Sequence, residues 1–172
     1  MKEFINRDEE LTRLRELYAS DTAELAVVWG RRRIGKTRLI AESIRGRDDA
    51  VYHQATETTT KSQLDAFVAD ARETYPDIER LQRNWETLLE YLITRDAIIV
   101  FDEFPYLADA DSELPSLIQR LWDHDVEDSG VTLVLTGSAI GMMYDLTLDG
   151  SAPLYGRISQ NPSEEPSARE KV

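Results

Sequence analysis

Residues Gly30 to Thr37 read Gly-Arg-Arg-Arg-Ile-Gly-Lys-Thr, directly behind the apolar run Leu25-Ala26-Val27-Val28-Trp29. Two glycines five residues apart, then Lys and Thr, at the end of a buried strand, form the pattern of a phosphate-cradling loop. The physical demands explain the residue types. The backbone must turn with positive φ and come close to the phosphates, which Gly30 and Gly35 permit. Its N–H groups line a concavity at the positive end of the helix that starts near Lys36. Lys36 supplies a point charge to the β/γ-phosphates, and Thr37 offers a hydroxyl to Mg²⁺. Arg31, Arg32, Arg33, Ile34 and Arg38 complete the loop and its exit. The three arginines raise the local potential around an anion; contact with nucleic acid is the alternative reading of the same charges.

Around the loop, strands alternate with helices. Leu11, Leu14, Leu17 and Tyr18 lie on one side of a first amphipathic helix, capped by Asn6 with Glu9 behind it. Helical patterns also cover Lys36 to Arg45, the segment opened by a Thr60–Gln63 capping box (Leu64, Phe67, Val68, Ala71), the segment from Asn84 (Trp85, Leu88, Leu89, Leu92), and Leu114 to Trp122. The strands are Leu25–Trp29, Ala50–His53, Ala97–Phe101 and Val131–Leu135. This alternation predicts an α/β fold, a three-layer α/β/α P-loop NTPase core on a mainly parallel sheet. The core is expected over residues 1–158. Residues 159–172, with two prolines, several acids and no apolar period, read as a disordered tail.

A second element carries chemistry. Ile98-Ile99-Val100-Phe101-Asp102-Glu103 is an apolar strand ending in two carboxylates, the Walker B arrangement. Asp102 reaches the carboxyl edge of the sheet, where it can hold Mg²⁺ directly or through water. Glu103 can orient or deprotonate an attacking water. A third strand ends Thr136-Gly137-Ser138, so Thr136 and Ser138 are candidates for a sensor of the γ-phosphate; Ser138 as a helix N-cap is the structural alternative. Arg157, in Pro153-Leu154-Tyr155-Gly156-Arg157, is by itself an ordinary surface arginine.

Composition removes other classes. There is no Cys, which excludes disulfides and thiolate metal sites. His53 and His124 lack partners at ligand spacing, and both are expected to be partly exposed. No apolar stretch approaches the roughly 20 residues of a membrane span. The N-terminus has no apolar signal region, so a cytoplasmic location is expected.

Taken together these residues resemble the archaeal ATPase family, P-loop ATPases near the AAA+ and STAND NTPases. The resemblance runs from Phe4 to Arg157. It rests on Phe4-Ile5-Asn6-Arg7-Asp8-Glu9-Glu10-Leu11, the phosphate loop, Phe101-Asp102-Glu103-Phe104-Pro105-Tyr106-Leu107, Thr136-Gly137-Ser138 and the Gly156-Arg157 element. It implies a sheet of the additional-strand type, with one strand inserted between the loop strand and the Walker B strand. It implies ATP and Mg²⁺ as ligands, and no guanine-reading Asn-Lys-x-Asp motif is present. It further implies the N-terminal segment near the adenine and Arg157 as a phosphate contact. Asn6 stands where the family usually has Gly. Relatives continue into a helical lid and a winged helix, so a truncated frame or an isolated nucleotide-binding core is expected here. The functional expectation is Mg-ATP binding with slow hydrolysis; the alternatives are a non-hydrolysing regulatory module with an unidentified protein partner, or a remnant of a larger ATPase.

The charge supplies one further expectation. Acidic residues number 33 against 20 basic ones, a net charge of −13, and only four of the bases are Lys. Such a field repels membranes and nucleic acid, which argues against autonomous DNA binding. A diffuse acid excess with Arg in place of Lys suits a halophilic cytoplasm, where cations screen the repulsion. Thermal melts from low to multimolar KCl test this: the melting temperature should rise throughout, and a flat or falling series would mark an ordinary acidic protein.

Overall fold

Four parallel strands run through the middle of the molecule, in a computed structural model that describes residues 8–29, 35–138 and 140–147. The strands are β1 (Glu24–Trp29), β2 (Ala50–Gln54), β3 (Ile98–Asp102) and β4 (Thr132–Gly137). The helices are α1 (Asp8–Tyr18), α2 (Lys36–Ser43), α3 (Thr60–Ala71), α4 (Trp85–Ile93), α5 (Phe104–Ala110), α6 (Leu114–His124) and α7 (Ile140–Thr147), with a 3₁₀ turn at Pro76–Arg80. The spatial order is β1-β4-β3-β2. Every neighbouring pair is parallel, with Val27 opposite Leu135, Phe101 opposite Leu135, and Gln54 opposite Asp102. β4 therefore lies between the strand leading to the phosphate loop and the strand bearing Asp102, as the additional-strand expectation requires.

The near-continuous apolar strands are explained by burial on both faces. Strand side chains alternate, and each parity enters a different core. Leu25, Val27, Ile99, Phe101, Leu133 and Leu135 join the core packed by α3 to α6. Ala26, Val28, Ile98, Val100 and Val134 join the core packed by α1 and α2. Three layers follow from this parity. On the smaller side, Tyr18 Oη and Ser43 Oγ hydrogen-bond at 2.9 Å and tie α1 to α2. On the larger side, Phe67, Trp85 and Phe101 form an aromatic cluster with ring centroids 5.3–5.6 Å apart.

Several local expectations are corrected. The α3 cap is Thr59, whose Oγ1 accepts the Ser62 N–H. Thr60 is the first helical residue, and Gln63 donates to the Thr56 carbonyl at 2.6 Å, bracing the loop after β2. β3 and β4 each extend beyond the apolar run that signals them, to Asp102 and Gly137. α5 has no long apolar period to announce it. His53 is 1% exposed, its Nδ1 lies 2.8 Å from Asp70 Oδ2, and its ring meets Phe67 edge-on, so it is a core residue with an acidic partner. Among the described residues no helix is long and apolar enough to cross a membrane. The N-terminal segment through Arg7, the Gly156-Arg157 element and the expected tail at 159–172 lie outside the described residues.

Phe67 is fully buried at the centre of the aromatic cluster. Phe67→Ala should destabilise the fold by about 3–5 kcal/mol, read as a shift in the urea midpoint with little change in slope; a loss under about 1 kcal/mol would show that this core closes around the gap.

Candidate functional site

Parallel strands all end on one side, and the chemistry-bearing residues sit along that carboxyl edge. Gly35 has φ +83°, a left-handed conformation that glycine adopts without strain, and it launches α2 as its N-cap. Lys36 and Thr37 then fall on the first turn of α2, with Lys36 buried. Gly30, Arg31, Arg32, Arg33 and Ile34 lie outside the described residues. Gly35, Lys36, Thr37, Arg38, Gln54 and Glu103 are among the residues lining a cleft of about 720 Å³, within the usual size of a small-ligand site.

Asp102 is the hub of this edge. It ends β3 and is 1% exposed. A carboxylate buried to that degree requires hydrogen-bond donors, and it has three hydroxyls from three elements. Thr37 Oγ1 donates to Oδ2 at 2.9 Å. Tyr52, from β2, donates to the same Oδ2. Thr136, from β4, donates to Oδ1. The Tyr52 phenol is pushed well above its ordinary range, first by burial and then by its bond to the carboxylate, so it remains a proton donor through the physiological range.

Glu103 follows with φ +57° and ψ +47°, the left-handed region that costs a non-glycine residue about 1–2 kcal/mol. This turn ends β3 and starts α5, with Pro105 in the first helical turn. It also directs the Glu103 carboxylate to β4: Ser138 Oγ lies 3.0 and 3.1 Å from its two oxygens, and the Ser138 N–H donates at 3.3 Å. The Glu103 N–H donates to Thr136 Oγ1 at 3.4 Å. Gly137 makes the close approach possible. A Cβ there would stand 2.7 Å from Met143 Sδ and 3.0 Å from Pro105 Cδ.

The structure therefore brings together Lys36, Thr37, Asp102, Glu103, Thr136 and Ser138, residues spread over a hundred positions of chain. Arg38 lines the same cleft. Arg157 lies outside the described residues. Tyr52 is the member of the site that sequence reasoning missed. Its only signal was parity: it shares a strand face with Gln54, the register partner of Asp102. The donor set also fits a hard divalent cation. Thr37 gives its proton to Asp102 and so keeps hydroxyl lone pairs for a metal, beside a buried carboxylate, an all-oxygen arrangement suited to Mg²⁺.

A three-layer parallel fold of this strand order, with a glycine-led helix facing an edge that carries the buried Asp102 and the half-buried Glu103, defines an ATPase-type nucleotide-binding domain. The chain belongs to the family of ATPase domains found predominantly in Archaea, whose profile matches residues 4–161. It is 38% identical over 154 residues to the uncharacterized protein MJECL04 of Methanocaldococcus jannaschii, covering 90% of this chain and 34% of that one. Its fold is similar to that of the Walker-type ATPase PABY2304 of Pyrococcus abyssi, with a TM-score of 0.68 at 21% identity, over 90% of this chain and 52% of the other. The chain thus spans about a third of one relative and about half of the other.

The strain at Glu103 can be separated from its hydrogen bonds. Glu103→Ala and Glu103→Gly both delete the carboxylate, but only glycine relieves the positive φ. The glycine variant should be the more stable by about 1 kcal/mol in equilibrium unfolding; equal stability would mean that the turn relaxes once the side chain is gone.

Proposed function

We propose that this domain binds Mg-ATP and hydrolyses it slowly. The observation that carries the reading is the Thr37–Asp102–Thr136 chain of hydroxyls on one buried carboxylate, next to Lys36 on the first turn of α2. Lys36 and the loop amides, with Gly30, Arg31, Arg32, Arg33, Ile34 and Gly35 in the loop and Arg38 beyond it, would hold the phosphates. Thr37 and Asp102 would hold the metal. When bound, Mg²⁺ would supply charge neutralisation at the phosphates.

Glu103 would take the role of water positioning. Glu103 lines the cleft, and its carboxylate is oriented by Ser138. Two Ser138 donors hold the carboxylate in place, so little reorganisation is needed when a proton is accepted. Thr136 couples the two acidic residues, because its Oγ1 bonds both the Asp102 carboxylate and the Glu103 amide. That geometry supports Thr136 and Ser138 as sensors, acting through the carboxylates. Arg157 remains a candidate phosphate contact on the strength of the family likeness alone. The acid excess of the chain supports a protein partner over nucleic acid as whatever the domain acts upon.

Two substitutions test the reading. Lys36→Ala should weaken binding of a fluorescent ATP analogue about tenfold to a hundredfold, the range expected for losing charge-assisted hydrogen bonds. Equal binding by wild type and Lys36→Ala would overturn the proposal. Glu103→Gln should leave binding in place and slow turnover about a hundredfold or more. Turnover untouched by Glu103→Gln, with binding intact, would favour a non-hydrolysing regulatory module.

A further inference from the structure

Asp102 has two carboxylate oxygens and about four lone-pair sites in all. Oδ2 receives two hydroxyls, Thr37 Oγ1 and Tyr52 Oη, while Oδ1 receives Thr136 Oγ1. The oxygen on the Thr37 side therefore has both lone pairs engaged by protons. We infer that Tyr52 is a positioning and metal-selecting residue, which fills Oδ2 of Asp102 so that this oxygen meets the cation held by Thr37 only through water. The inference rests on the Mg-ATP reading above and adds to it one residue, Tyr52, that sets how Oδ2 of Asp102 meets the metal.

The placement of Tyr52 explains how it reaches. Tyr52 pairs with Val100 and Gln54 with Asp102, so Tyr52 and Asp102 share the face packed by α1 and α2, two residues apart in register. Two residues of strand rise about 6.6 Å, a gap that a phenol spans and a shorter hydroxyl does not. The ring packs partly against the smaller core, and the hydroxyl extends to the edge. A phenylalanine would serve the packing equally well. The hydroxyl therefore has a separate use, and its partner is Asp102.

Metal choice follows from how much water the cation retains. Mg²⁺ dehydrates reluctantly and usually keeps several waters, whereas Ca²⁺ accepts more protein oxygens in looser geometry. A carboxylate with its near oxygen capped by two hydroxyls suits the first cation. Freeing a lone pair on Oδ2 opens a direct carboxylate bond and suits the second.

The experiment is a titration of fluorescent ATP-analogue binding with Mg²⁺ or Ca²⁺, in wild type and Tyr52→Phe, alongside a melting curve for each. The half-saturating Ca²⁺ concentration relative to that for Mg²⁺ should fall about tenfold in Tyr52→Phe, the lower end of the cost seen when a partner of a metal ligand is removed. The melting temperature should fall by only about a few degrees, the cost of taking one donor from a buried carboxylate while the packing of the ring is kept, so the variant stays folded for the titration. An unchanged ratio with binding intact would overturn the role of Tyr52 while leaving the Mg-ATP reading in place. Absence of divalent-dependent analogue binding in wild type would overturn both.

Discussion

The architecture of the cleft depends on one buried charge. Asp102 is almost wholly removed from water, and a carboxylate so placed needs close hydrogen-bond donors. Thr37, Tyr52 and Thr136 supply them, each from a different element. The same three bonds therefore satisfy the carboxylate and fasten α2, β2 and β4 to the end of β3. Stability and chemistry are hard to separate at such a point. A change at any of the three hydroxyls alters the local charge and the alignment of the strand ends together.

Glu103 shows the opposite balance. Its left-handed backbone is locally unfavourable, and the hydrogen bonds with Ser138 and Thr136 hold it there. Unfavourable backbone states persist only where their surroundings over-determine them, and they gather at functional edges. Here the tight turn changes the chain from strand to helix within one residue. It leaves two adjacent carboxylates with separate donors, Thr37, Tyr52 and Thr136 for Asp102 and Ser138 for Glu103. Neighbouring acids repel each other, and separate donors relieve that.

Much of this was legible in the chain before its folding was known, for identifiable reasons. The strands were readable because sheets covered on both sides need apolar residues at every position, and Leu25 to Val28 and Ile98 to Phe101 comply. Lys36, Thr37, Asp102 and Glu103 could be singled out because the phosphate-loop and Walker B patterns fix residue type and spacing along the chain, and the fold brings them to one edge. Tyr52 was not, since its contact spans 50 residues and depends on strand register. The partner of His53 escaped for the same reason: Asp70 belongs to α3, and nothing local couples the two. α5 was missed because its seven residues are too few to show a period, and its start is set by the turn at Glu103. Cap placement failed by one residue at Thr59, where a run of three threonines offers several equivalent hydroxyls.

The strand order also carries a consequence in time. β1 is made early and β4 about a hundred residues later, yet β4 is the strand that β1 pairs with among the described residues. As the chain emerges, residues 24–29 have no described sheet neighbour until residues 132–137 follow. The first pairing open to a growing chain is β2 with β3, at the far side of the sheet. Closing the central slot with β4 is a late, long-range step, of the kind that makes parallel sheets slow to form. Thr136 arrives with that strand, so the buried carboxylate of Asp102 gains its full set of donors only when the sheet is joined. Assembly of the cleft and completion of the fold are one event.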